Sequence, residues 1–226
     1  MATNYNLMSQ LVFKFPFKTK YYEQDYYVSS NNFSAYRLIE SWPNWPGKWV
    51  NIFGPKGCGK THLSNILKKK INLIHIIDAK NVDNETISKF EKLDCLIIDN
   101  YEKNIDEKIF YSLLNQSKQS ESYLLVNSTL PLGNIKFDLK DLRSRTESFI
   151  NLGIELPTDD LLRVIISKSF SDKQIEITPK ISEYIIKNIE RSYEKVFKFI
   201  KEIDDLSLSS GKSININLIK KVLNNE

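Results

Sequence analysis

Gly54-Pro55-Lys56-Gly57-Cys58-Gly59-Lys60-Thr61 is the stretch that decides the fold class, because it completes the pattern G-x-x-x-x-G-K-[ST]. The pattern carries weight only where a strand runs into a helix, and both flanks qualify. Trp49-Val50-Asn51-Ile52-Phe53 is apolar and suits a buried strand, while Thr61 to Lys70, beginning Thr61-His62, has helical residues and ends in lysines. Glycines allow backbone N–H groups to turn inward around phosphate oxygens, and the helix behind them presents its positive end to the anion. Lys60 is placed to reach β- and γ-phosphates, and the Thr61 hydroxyl to ligate Mg²⁺. The run Gly54–His62 is therefore the expected cradle for ATP or ADP with Mg²⁺.

Strands and helices alternate outward from this loop. Strands are expected at about 49–53, 73–77, 94–99, 122–127 and 148–152, and helices at about 33–41, 60–70, 84–91 and 106–118. Such alternation implies βαβ crossovers and a parallel sheet with helices on both faces, an α/β fold. Beyond Pro157 the apolar residues recur at helical spacing, as in Ile181, Tyr184, Ile185 and Ile189 or Val196, Phe199, Ile200 and Ile203. Thr158, Thr178 with Pro179, and Asn217 read as helix starts. Three parts are expected: an arm over 1–20, a nucleotide-binding α/β domain over 21–157 and an all-helical lid over 158–226.

The chain has 226 residues, 41% hydrophobic and 27% charged, with net charge +4, the composition of a soluble globular protein. No run approaches the ~18 apolar residues of a membrane span, so no membrane contact is expected. The two cysteines, Cys58 and Cys95, lack metal-ligand spacing and fit reduced thiols in the cytoplasm. The charge permits nucleic-acid contact without demanding it. The aromatics cluster in the first 50 residues, away from any basic stripe, so DNA contact is expected to be indirect or weak.

Leu96-Ile97-Ile98-Asp99 is an apolar strand ending in a carboxylate about 40 residues beyond the phosphate loop, where an acid holds Mg²⁺ through water. The next residue is Asn100, and an amide orients water but accepts no proton from it. Slow hydrolysis is expected. Glu102 is near in sequence but need not face the same way. Asn127, ending Tyr123-Leu124-Leu125-Val126, is a sensor candidate for the γ-phosphate or attacking water, with Ser128 and Thr129 as rivals.

Together with Leu142-Arg143-Ser144-Arg145 and the helical C-terminal part, these motifs resemble the AAA+ ATPases, and within them the DnaA-related group. Leu96-Ile97-Ile98-Asp99-Asn100 is similar to the Walker B strand of the shortened Hda type, and Ile189-Glu190-Arg191-Ser192-Tyr193 to the lid of its alphaproteobacterial members. The end at Glu226, where an initiator continues into a DNA-binding helix-turn-helix, agrees with that type. The resemblance implies an AAA+ P-loop NTPase fold with a parallel five-stranded sheet and a small all-helical C-terminal lid.

It also implies roles. Hda-type proteins down-regulate replication initiation by docking on the sliding clamp and stimulating hydrolysis of ATP held by the DnaA initiator. Arg145 corresponds to an arginine finger acting in trans, with Arg143 as fallback. Gln10-Leu11-Val12-Phe13-Lys14-Phe15 resembles the clamp-binding peptide through Gln10, Leu11, Phe13 and Phe15; an edge strand over the chain's own sheet is the alternative. Asp25 to Asn32 resembles the segment around the adenine, with Tyr27 and Val28 on the base and Asn32 near it. Glu194 stands where the relatives carry a sensor arginine, and Arg191, three residues earlier, is the substitute on the same helical face. A homo-oligomer, and an autonomous AAA+ ATPase, remodelling motor or helicase-loader-like protein, are the competing readings.

Overall fold

The structure, a computed structural model, describes residues 25–210 and 214–223. The arm with Gln10, Leu11, Phe13 and Phe15 lies outside the described residues. The chain divides into two compact units, one running to Leu156 and the other from Pro157 onward.

The first unit contains α1 (Phe33–Glu40), β1 (Trp49–Phe53), α2 (Lys60–Lys68), β2 (Ile74–Asp78), α3 (Asn84–Phe90), β3 (Cys95–Tyr101), α4 (Glu107–Gln119), β4 (Tyr123–Ser128), α5 (Lys140–Thr146) and β5 (Ile150–Gly153). The five strands form one parallel sheet in the order β2-β3-β4-β1-β5. Burial on both faces explains the continuous apolar run of β3, whose Leu96, Ile97 and Ile98 are fully buried. From β1 the chain passes through α2 to the far edge at β2 and returns strand by strand to β4. That route sets the β1–α2 loop beside the C-terminal ends of β3 and β4, where open α/β sheets bind ligands.

The β3–β4 ladder is interrupted between Ile98, opposite Val126, and Tyr101, opposite Ser128, so Asp99 and Asn100 together face Asn127. Two residues against one is a β-bulge, which turns side chains to new directions. Asn100 adopts a left-handed φ of 57° there, a conformation that asparagine tolerates. The bulge and the α5 helix are departures from the expected strand ends and loops.

The second unit consists of α6 (Asp159–Asp172), α7 (Pro179–Asn188), α8 (Tyr193–Ser210) and α9 (Ile216–Leu223) around a core that includes Leu162, Ile166, Phe170, Ile185, Val196, Phe199 and Ile219. Thr158 and Thr178 cap α6 and α7 by accepting from the Leu161 and Ile181 N–H groups. The start of α9 differs from expectation: Asn215, not Asn217, accepts from the Leu218 N–H at 3.0 Å. Among the described residues no helix is long and apolar enough to cross a membrane.

Candidate functional site

Two glycines set the loop's course. A Cβ on Gly54 would lie 2.5 Å from the Ile154 carbonyl oxygen, so the backbone passes too close to β5's end for any side chain. Gly59, the first residue before α2, has φ 100°, and a Cβ there would meet the Tyr26 ring at 2.9 Å. Tyr26 in turn stacks on Tyr36 of α1 and meets His62 edge-on at 5.2 Å. The aromatic segment before α1 thus packs against the loop–helix junction.

Lys60 is nearly buried, and its ammonium donates to the Gly54 and Pro55 carbonyls at 2.7 and 3.0 Å. Cys58 is buried 3.7 Å from it; burial pushes the thiol up from its ordinary range, with Lys60 opposing. The Thr61 hydroxyl donates to Asp99 Oδ2 at 2.7 Å, and Asn127 Nδ2 donates to Asp99 Oδ1 at 3.0 Å. Threonine, aspartate and asparagine therefore meet as one hydrogen-bonded set where the N-terminus of α2 faces the C-terminal ends of β3 and β4.

These donors suit a hard cation. Among the described residues no group of three or more His, Cys, Asp or Glu could hold a metal ion. A hydroxyl and one carboxylate leave the remaining positions to waters and ligand phosphates, the arrangement Mg²⁺ favours. Thr61 and Asp99 would hold it, and the ion would neutralise phosphate charge.

Asn100 turns elsewhere. Its Nδ2 donates to Asp78 Oδ2 at 2.9 Å, and this bond holds the Asp78 carboxyl below the usual carboxylate range. Glu102, by contrast, does face the loop, its carboxylate 3.1 Å from Lys56 Nζ. Ser128, the rival to Asn127, spends its hydroxyl on the Leu130 carbonyl at 2.6 Å.

Near α1, Asn32 Nδ2 donates to the Tyr27 carbonyl and its Oδ1 accepts from the Ser29 N–H, both at 2.9 Å. Asn32 therefore shapes the Tyr27–Ser29 turn, leaving Tyr27 46% exposed. Arg145, in the last turn of α5, lies over the Tyr111 ring at 4.3 Å and donates to Asn115 Oδ1, both on α4. Arg143 is exposed. Within the second unit, Arg191 pairs with Asp159 at 2.9 Å, and Glu194 opens α8 exposed.

Three contributors escape sequence reasoning. Asn51 is fully buried in β1, donating to the Val126 carbonyl and Ser128 Oγ and accepting from the Leu132 N–H. Its signal was available as a lone polar residue inside an apolar strand. Ser64 accepts from Asn127, and Glu107 accepts from the Asp138 and Leu139 N–H groups where α5 begins. Neither carries a sequence signal.

The RNA helicase family model matches residues 50–140. The chain is 25% identical over 243 residues to the chromosomal replication initiator protein DnaA of Buchnera aphidicola subsp. Baizongia pistaciae, covering 96% of this chain and 53% of the relative. Domain III of the Thermotoga maritima replication initiation protein DnaA superposes with TM-score 0.77 at 17% identity, covering 93% of this chain and 98% of that domain. The chain thus has the fold of DnaA domain III and is similar in sequence to DnaA proteins over most of its length. AMPPCP-bound DnaA from Aquifex aeolicus superposes with TM-score 0.67 at 21% identity, over 83% of this chain and 65% of that one. The chain spans about half the length of the DnaA relatives it matches.

Proposed function

We propose that this chain is an AAA+ protein, an adenine-nucleotide-binding regulator of replication initiation of the Hda type. ATP or ADP with Mg²⁺ occupies the Gly54–His62 cradle, with Lys60 turning from the loop carbonyls to the phosphates and Tyr27, Val28 and the Asn32-shaped turn beside the base. Gln10, Leu11, Phe13 and Phe15 dock on the sliding clamp, and Arg145 enters the nucleotide site of a neighbouring DnaA. A finger supplied in trans contributes about 10³–10⁵ in rate. The supporting observation is at the bulge: the residue after Asp99 is an amide committed to Asp78, and an amide takes no proton from water. Weak intrinsic hydrolysis with an output on a partner follows.

The test is reconstitution of clamp, DNA and ATP-loaded DnaA with this chain. Accelerated hydrolysis that Arg145→Ala and Gln10→Ala/Leu11→Ala each abolish supports the reading; no acceleration by the wild type overturns it. A second reading, an autonomous ATPase, draws on Glu102 beside Lys56. Substantial turnover by the isolated protein, rising with its own concentration and lost in Glu102→Gln, would favour it.

A further inference from the structure

Asn127 and Ser64 are both fully buried, and Asn127 Nδ2 donates to Ser64 Oγ at 2.8 Å as well as to Asp99 Oδ1 at 3.0 Å. A primary amide has two hydrogens, and these two acceptors use both. Turning the amide over would set its oxygen against the Asp99 carboxylate, acceptor against acceptor, so the orientation is fixed. What remains is Asn127 Oδ1, a buried acceptor with no hydrogen-bond partner among the described residues. A buried polar atom left in that state calls for an explanation.

Resting on the adenine-nucleotide reading above, we propose that Ser64 makes the site insensitive to the third phosphate. Phosphate oxygens only accept hydrogen bonds, and Asn127 has no hydrogen left to give them. Its free Oδ1 accepts from a donor, and water is the donor that a nucleotide site supplies. Asn127 consequently orients water without distinguishing triphosphate from diphosphate, and Ser64 is the positioning residue that causes it. Removing the Ser64 hydroxyl releases one amide hydrogen for a phosphate oxygen.

The experiment is calorimetric titration of the full chain with Mg²⁺-AMPPCP and Mg²⁺-ADP. Ser64→Ala is expected to shift the affinity ratio toward AMPPCP by about tenfold or more, the size of one hydrogen bond to a charged acceptor. Adding Asn127→Ala to that variant is expected to cancel the shift. An unchanged ratio in folded Ser64→Ala overturns the proposal, as does a wild type already favouring AMPPCP by that margin. Should Ser64→Ala fail to fold, Ser64→Cys, whose sulfur is a weak acceptor, is read by the same criterion. Binding of neither nucleotide by the wild type overturns the nucleotide reading itself, and the proposal with it.

Discussion

Asn100 donates its side-chain amide to Asp78 Oδ2 at 2.9 Å, tying the bulged end of β3 to the end of edge strand β2. This bond decides what a glutamate at position 100 would do. Asn100→Glu sets two carboxylates together and places a less tolerant residue at φ 57°, which costs about 1 kcal/mol from the backbone alone. Since the side chain at 100 leads toward β2, the new carboxylate does not reach Asp99's ligands. We expect a lower melting temperature and intrinsic ATP turnover within about twofold of wild type. A large gain in turnover, measured by phosphate release, would refute the geometry.

The same bond predicts a pH effect. Hydrogen bonding from Asn100 lowers the folded-state Asp78 pKa below its ordinary value of 3.8. The group therefore adds stability above that value, and the contribution disappears as pH falls through the lower folded value. Asp83 and Glu107 are lowered too, by Thr86 and Leu139 backbone N–H groups respectively, and share the acid loss. The Asp78 part is isolated as the difference between wild type and Asn100→Ala. That difference in melting temperature should shrink as pH falls below about 5 and on through the lowered folded value.

Arg145 is restrained by Tyr111 and Asn115. Tyr111→Ala removes the ring beneath the guanidinium, an interaction worth about 0.5–2 kcal/mol. We expect nucleotide binding by the chain itself to stay unchanged while stimulation of a partner falls about tenfold or less, against near-complete loss in Arg145→Ala. Single-turnover hydrolysis by ATP-loaded DnaA reads the difference.

How far the sequence carries the reading depends on the range of the interactions. Trp49–Phe53 and the phosphate loop are local patterns, and β1 runs over the expected residues. Asp99 and Asn127 were legible as strand-end polar residues; that they share a hydrogen bond depends on the bulge, a property of two paired strands that neither strand carries alone. The α5 helix went unread because Lys140–Thr146 is short and polar, with only Leu142 and Thr146 buried, and its first turn is held by Glu107 from α4. Ser64 is invisible for the same reason: one serine in an amphipathic helix acquires its role only when β4 brings Asn127 against it.

Within the helical unit, Arg191 is bonded to Asp159 through Nε and Nη2 at 2.9 and 3.2 Å. If Arg191 stands in for the sensor arginine that Glu194 replaces, Asp159 competes with the nucleotide for it. Asp159→Ala should then raise affinity for Mg²⁺-AMPPCP by about twofold to fivefold, the size of an exposed ion pair, and Arg191→Ala should abolish that gain. Identical titrations of the two variants would remove Arg191 from the nucleotide's surroundings.

The Thr61–Asp99 bond at 2.7 Å makes metal dependence the sharpest stability test of the site. If the pair holds Mg²⁺, the wild type should gain about 2.7 kcal/mol from nucleotide at a hundredfold its Kd. EDTA should remove much of that gain. In Asp99→Asn the carboxylate charge is gone while shape and the Thr61 contact are largely kept, so stability without ligand should change little. Its melting shift with nucleotide should become equal with and without Mg²⁺. Lys60→Ala should instead lose the shift under both conditions, because in the proposed complex the ammonium turns to the phosphates directly. A Mg²⁺-dependent shift that survives Asp99→Asn would place the metal on other residues and leave Asp99 as a hydrogen-bond acceptor for Thr61 and Asn127.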